Sequence, residues 1–302
     1  GKGFSPPAWM RWGGWPFAAF ALTTIYGQMV SVYQYPKPAL LILGGSTLAA
    51  IVVGYLYGRH KRVWCRYLCP VNGVFGLLAK LSPLHFKVDE LAWTQSQARH
   101  PALPAFNCAP LVPVRHMQSA AACHMCGRCS GFRGAVALSW RSPFSEIVAF
   151  AGEKPRPWES ALILFGLLGV AMGAFHWTGS AGYIALKQFM AEWLILQDWL
   201  WPLETSAPWW LLTDYPTLND TMTLLDGLAL VLFVLGTTMA MGLSLTLLAW
   251  LSARICGPHQ AWARFHHLVQ GLIPLAGIGG LLGLSALSLT ILKGEVLSLP
   301  GV

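Results

Sequence analysis

Apolar residues in this chain gather in long unbroken runs, not in the alternation of a strand or the one-sided stripe of a surface helix. Five runs, near 15–35, 38–58, 158–178, 224–251 and 268–292, are nearly free of charge. Each has the roughly 20 residues that a helix needs to cross about 30 Å of hydrocarbon. The fourth is the longest and is expected to tilt or project beyond the bilayer. Residues 71–81 are apolar but too short to span and read as a surface-lying helix. Residues 183–201 mix Trp, Leu, Ile and Phe with Lys187, Glu192, Gln197 and Asp198, the pattern of an amphipathic helix at a membrane surface. Residues 82–157 are different: rich in Pro and Gly, without sustained period, and with too few aliphatic residues for a large core. The pattern predicts an all-α integral membrane protein of about five transmembrane helices in three parts. These are an interfacial segment and two-helix hairpin over 1–58, a polar segment over 59–157, and three further spans over 158–302 with an outer loop near 179–223.

Composition agrees. Hydrophobic residues make up 55% of the 302, charged residues 11%, and the mean hydropathy is +0.52, outside the balance of a soluble domain. Charge then sets orientation. Residues 1–14, 59–157 and 252–267 hold 17 of the 20 Lys and Arg, leaving Lys37, Lys187 and Lys293 on the other side. The positive-inside rule makes the first side cytoplasmic. The net charge of +8 is therefore mostly topology. The basic residues are dispersed among Pro, Gly and Cys with no stripe along a helix, so no nucleic-acid partner is expected. Trp9, Trp12 and Trp15 suit the headgroup boundary. The chain opens at Gly1 without a methionine, which suggests that the numbering begins inside a longer protein.

Six of the seven cysteines fall between Cys65 and Cys129. In a reducing cytoplasm they are read as metal ligands, not disulfides. Cys123-His-Met-Cys126-Gly-Arg-Cys129 has the two-residue spacing of a ferredoxin run, with Gly127 allowing a tight turn. Cys65-Arg-Tyr-Leu-Cys69-Pro70 has the form in which such a run usually closes. A 4Fe-4S cluster held by cysteine alone uses four thiolates, so the six available favour one cluster. Cys123, Cys126 and Cys129 supply three ligands. The fourth is Cys69, followed by Pro70, or Cys108, followed by Ala109 and Pro110. A second, less standard site using Cys65, Cys69 and Cys108 stays open. His116 and His124 are alternative nitrogen ligands. A closed zinc site is the competing chemistry, but zinc knuckles usually pair two C-x-x-C motifs, whereas three cysteines at successive two-residue spacers favour a cubane. Arg128 and Arg133 flank the run, where positive charge would offset the anionic thiolates. Cys256 reads as an isolated buried thiol. His176 and the pair His266 and His267 fall at opposite membrane faces and cannot share one haem iron. Arg264 to His267 reads as headgroup anchors, or part of a quinone pocket, and Asp226 as a helix cap or a proton relay.

Trp64-Cys-Arg-Tyr-Leu-Cys-Pro70, with Val71-Asn-Gly73 and Leu81-Ser-Pro83, resembles the bacterial membrane-bound polyferredoxins of the NapH, NosR and CcoG type. Members of that group join several spans to C-x-x-x-C-P motifs and ferredoxin-type 4Fe-4S sites at the cytoplasmic face. This chain departs from them in having one C-x-x-x-C-P motif and one three-cysteine run that continues Ser130-Gly-Phe-Arg-Gly134 without a fourth cysteine. The resemblance implies a multi-pass protein of the bacterial inner membrane. Such a protein would pass single electrons between a quinol pool or cytoplasmic donor and a membrane or periplasmic redox partner, as a subunit of a larger oxidoreductase system. The alternatives are a redox- or metal-sensing assembly factor for a copper or haem-copper enzyme, and a transporter with a structural metal loop.

Overall fold

The computed structural model describes residues 3–279 and 282, apart from 105, 122, 152–154 and 258. After a 3-10 turn at Ala8–Arg11, the helices run in order. They are α1 (Trp15–Met29), α2 (Pro36–Val53), α3 (Asn72–Ala79), α4 (Glu90–Arg99), α5 (Ser145–Ala149), α6 (Pro157–Ala161), α7 (Ala171–His176), α8 (Ala181–Leu196), α9 (Trp201–Glu204), α10 (Leu224–Ile255) and α11 (Ala261–Gln270).

Among the described residues, three helical stretches are long and apolar enough to cross a membrane: Pro36–Gly58 and Pro157–Gly179, of 23 residues each, and Leu224–Ile255, of 32. The first is α2 extended by a π-helical turn, and the second joins α6 to α7 through the π-helical stretch Leu162–Val170. At 1.5 Å per residue, 23 residues reach about 34 Å. The run predicted near 15–35 behaves differently: its helix ends at Met29 after 15 residues. There the chain reverses through Ser31 at φ +49°, and the Met29 carbonyl accepts from the Thr213 backbone N–H at 2.8 Å. A distant loop thus takes up a helix-end acceptor, which nothing local to α1 signals. The predicted span near 268–292 lies only in part within the described residues, which there are 268–279 and 282.

The tightest helix pairing is between Leu162–His176 and α10. Gly169 and Gly173 lie one turn apart on that contact. A Cβ on Gly169 would meet Thr238 Cα at 3.1 Å, and one on Gly173 would meet Val234 Cα at 3.1 Å, so small residues let the backbones approach. Gly173→Val is expected to force the helices apart and cost about 1–3 kcal/mol, read as a lower thermal midpoint in detergent. Gly236→Ala, where nothing lies within 4 Å, should leave that midpoint in place.

The expected amphipathic helix forms as α8 and packs on α10, with Tyr183 and Leu194 buried. An ion pair from Lys187 to Asp226 ties the two. Asp226 also closes a capping box with Thr223, whose backbone N–H donates to Asp226 Oδ2 at 3.0 Å. Its position is therefore that of a cap.

Residues 82–157 depart from the all-α expectation. Leu84–Val88 (β1) pairs antiparallel with Val136–Trp140 (β2), in register from Leu84 opposite Trp140 to Val88 opposite Val136. A second two-stranded ribbon joins Asp214–Tyr215 (β3) to Asp220–Thr221 (β4). Five-residue strands are too short to show as a period, and β1 and β2 lie 48 residues apart. Asp89 caps α4 by accepting from the Leu91 and Ala92 N–H groups at 2.9 and 3.0 Å. A small core of Phe86, Trp93, Val114, Cys129, Ala135 and Val136 holds this unit together.

A buried polar network joins three of the helices beside it. Lys80, 4% exposed, donates to Gln270 Oε1 at 2.7 Å and pairs with Glu159, which also binds Arg156 at 2.9 Å. One lysine thereby links α3, α6 and α11.

Candidate metal centre

The three-cysteine run lies between a turn at Ala120 and the 3-10 turn Phe132–Gly134. Its backbone curls tightly: Met125 sits at φ +47°, Gly127 at +73° and Gly131 at +74°. Left-handed geometry is native to glycine and costly at Met125. The curl turns Cys123, Cys126 and Cys129 toward one recess, and Cys108 lines it too. Cys129 is buried, Cys108 and Cys123 are half-buried, and Cys126 is exposed. The remaining wall is largely apolar, with Phe86, Phe106, Val112, Val114 and Met117 among its residues.

Two contacts place this recess at the end of the second predicted span. The Arg62 backbone N–H donates to Ala109 O at 2.8 Å, and Lys61 Nζ donates to Cys108 O at 3.0 Å. Both residues follow shortly after Gly58, where the extended α2 helix stops. Neither basic residue stood out as more than topology in the sequence, yet they fix Cys108 beside the helix end. Arg62 also meets His124 Nδ1 at 3.2 Å, so that nitrogen is engaged by a cation. His116 lies exposed in the turn Val114–His116, away from the recess lining.

Cys65 and Cys69 do not line the recess. They sit half-buried on and just after the π-helical turn Trp64–Leu68, with the Cys69 N–H donating to Trp64 O at 3.0 Å. The choice that spacing left open between Cys69 and Cys108 is thus one on which the geometry differs. Cys256 is exposed at the end of α10, not buried as its isolation suggested. Arg264 is turned inward, donating to Ala253 O at 3.1 Å. His266 is 2% exposed, with Nδ1 2.7 Å from Ser160 Oγ. These two contacts correct the expectation of headgroup anchors: the segment packs inward because α11 carries an apolar face onto the helix core. Arg133 donates to Leu103 O at 2.9 Å and lies over the Trp93 and Phe132 rings, so it braces the fold. Arg128 does line the recess.

Burial pushes the Cys123 and Cys129 thiols above their usual range; the Met125 N–H, 3.4 Å from Cys123 Sγ, partly offsets this at Cys123. Burial, with Arg62 and Arg66 nearby, holds His124 below its ordinary value. The Cys123 and Cys129 thiols are therefore protonated at neutral pH, and a metal bound by them would release their protons.

Four thiols on one apolar recess are a donor set suited to iron or zinc. One zinc at about 2.3 Å from each sulfur would draw four sulfurs to about 3.8 Å of one another. Among the described residues no three His, Cys, Asp or Glu groups are arranged to hold a metal ion as they stand, whichever the metal. A four-iron cubane holds its cysteine sulfurs farther apart, because irons and sulfides stand between them. The free volume is small, ≈ 20 Å³, so a cubane requires the loop to move outward. Residues 125–128 are exposed, and open space surrounds Gly127, which makes this the side able to yield.

Comparison with known proteins bears on the same chemistry. Residues 40–89 match a family described as a 4Fe-4S binding domain. That stretch includes Cys65 and Cys69 and stops short of Cys108 and the three-cysteine run. A curated protein of Escherichia coli (strain K12), named "Putative electron transport protein YccM", is 26% identical over 159 residues. The matched region covers 50% of this chain and 41% of that protein, so the chain spans less than half of the relative's length. No solved structure matches. Ferredoxin-type cysteine spacing, a matching 4Fe-4S domain and three membrane-length apolar helices describe an iron–sulfur membrane protein.

Proposed function

We propose that this chain is a membrane-anchored electron carrier holding one 4Fe-4S cluster on Cys108, Cys123, Cys126 and Cys129. The observation that carries this reading is that those four thiols, and no other cysteine, line one recess. The matching domain and the relative's printed name support iron–sulfur and electron-transport chemistry. When bound, the cluster supplies a reversible one-electron site.

The chain's own residues do the rest. The cysteines bind as thiolates, the Met125 N–H hydrogen-bonds Cys123 Sγ, and the apolar wall limits water access, which tunes potential. Arg128 places positive charge beside the thiolates. Lys61 and Arg62 hold the site at a helix end, within reach of a quinol or of a membrane partner that relays electrons to a periplasmic one. Because 17 of 20 Lys and Arg share the side of residues 59–157, we place the site on the cytoplasmic face of a bacterial inner membrane, with the three-part division of the chain given above.

The match over residues 40–89 favours a second reading, in which Cys65 and Cys69 also bind iron. Electron paramagnetic resonance of the anaerobically purified, dithionite-reduced chain, with iron and sulfide counted, tests both. One cubane gives a reduced-cluster signal and about four irons per chain. Additional iron lost on changing Cys65 or Cys69 to Ser supports the second reading. A silent protein with zinc bound overturns both.

A further inference from the structure

A second cavity, of ≈ 520 Å³, lies between the helix ends and the segment carrying the thiols, within the usual size range of small-molecule sites. Its lining is of two kinds. Trp12, Pro16, Trp158 and Leu162 give it an apolar surface, with the Trp12 and Trp158 rings edge to face at 4.9 Å. Arg11, from the 3-10 turn Ala8–Arg11, and Arg66, from the π-helical turn Trp64–Leu68, give it two cations. A third, Arg156, is already held by Glu159 at 2.9 Å. Among the described residues Arg11 and Arg66 form no ion pair.

The carboxylate on this cavity, Glu159, is taken up by Lys80 and Arg156, so among the described residues Arg11 and Arg66 are left without a counter-charge, which suits an anion; the planar fork of arginine matches phosphate oxygens in pairs. The indoles give the depth, because tryptophan concentrates where headgroups meet hydrocarbon. A neutral ring would leave both cations unmatched. An amphiphile with a phosphate satisfies both surfaces, its chain lying against Pro16 and Leu162. We infer that this cavity is a site for the phosphate of an anionic phospholipid, gripped by Arg11 and Arg66.

The site has a consequence for the thiols. Val112 and Met117 line both this cavity and the cysteine recess. The segment between them continues to Ala121, whose carbonyl sits so close to Gly76 that a Cβ there would lie 2.8 Å away. A bound lipid therefore seats the cysteine-bearing segment against α3 and the helix ends.

The test uses the full chain extracted in mild detergent. Native mass spectrometry counts retained lipid in the unchanged protein, in Arg11→Gln/Arg66→Gln, and in Arg99→Gln as a basic control elsewhere. Thermal midpoints are then read with added phosphatidylglycerol, phosphatidylcholine or inorganic phosphate. The expected result is one retained anionic phospholipid, about tenfold lower occupancy in the double variant, no change in Arg99→Gln, and a midpoint raised by phosphatidylglycerol alone. If the double variant does not fold, the contrast between the two lipids decides. Equal retention in the double variant, or an equal response to phosphatidylcholine, overturns the assignment. A shift with inorganic phosphate and no retained lipid also overturns it, in favour of a soluble phosphate-bearing ligand. A Cys108→Ser/Cys126→Ser chain should keep its lipid, so this result stands apart from whether iron binds.

Discussion

Changing Cys108 to Ser is expected to abolish the reduced-cluster resonance and to take iron from about four atoms per chain to near zero, whereas changing Cys69 to Ser leaves that resonance in place. The two substitutions are chemically alike and differ only in where the sulfur sits. Cys108 lines the recess with Cys123, Cys126 and Cys129, and Cys69 ends a π-helical turn outside it. Cys108 is also held in place through the Lys61 contact to its carbonyl and the Arg62 contact to the next residue. A serine oxygen is a poorer ligand for iron than a thiolate, and no fifth cysteine lines the recess to replace it. The opposite outcome, loss with Cys69→Ser and retention with Cys108→Ser, would assign the fourth ligand to the C-x-x-x-C-P motif. It would also mean that the recess rearranges on loading.

Glu146→Ala should be the most damaging single change away from the cysteines, costing about 3–5 kcal/mol, the range for removing one partner of a buried ion pair. Glu146 is 2% exposed. It accepts from Arg141 Nη2 at 2.7 Å and from the Ala120 N–H at 3.0 Å, and it binds the Ser119 hydroxyl. Arg141 in turn donates to the Ser82 and Lys80 carbonyls at 3.1 and 3.3 Å. One carboxylate thus fixes α5, the end of α3 and the residues leading into Cys123. Thermal denaturation measures the stability loss, and iron release to a chelator measures the effect on the site. Arg141→Met with Glu146→Leu should recover part of the stability, because no buried charge is left alone. It should not recover slow iron release, because the hold on Ser119 and Ala120 stays lost. Recovery of both would show that Glu146 acts on stability alone.

The contrast between Cys69 and Cys108 also measures how far this protein is legible without coordinates. That Cys123, Cys126 and Cys129 lie together on one recess could be read directly, because close spacing on one short loop is a local property. Gly127, at φ +73°, does what the spacing asked of it. Which further cysteine lines that recess could not be read. Both candidates carry a proline close behind, and what separates them is a pair of contacts from Lys61 and Arg62 across nearly fifty residues. For the same reason Arg133 resembled an electrostatic partner and is a brace, and His266 resembled a surface residue and is buried.

Sequence alone determined the membrane-length helices, since a run of apolar residues needs no partner to declare how it meets hydrocarbon. It also set the ferredoxin-type spacing of the three-cysteine loop. Tertiary structure alone decided that α1 stops at Met29, where a loop almost two hundred residues away takes up its carbonyl. It decided that residues 82–157 close around a two-stranded sheet, that Cys108 joins the other thiols, and that Arg11 and Arg66 meet on one cavity. Each of those outcomes depends on a contact between segments far apart in the chain. Such pairings are selected by packing, charge and hydrogen-bond satisfaction in three dimensions, and they leave no period or spacing behind in the sequence.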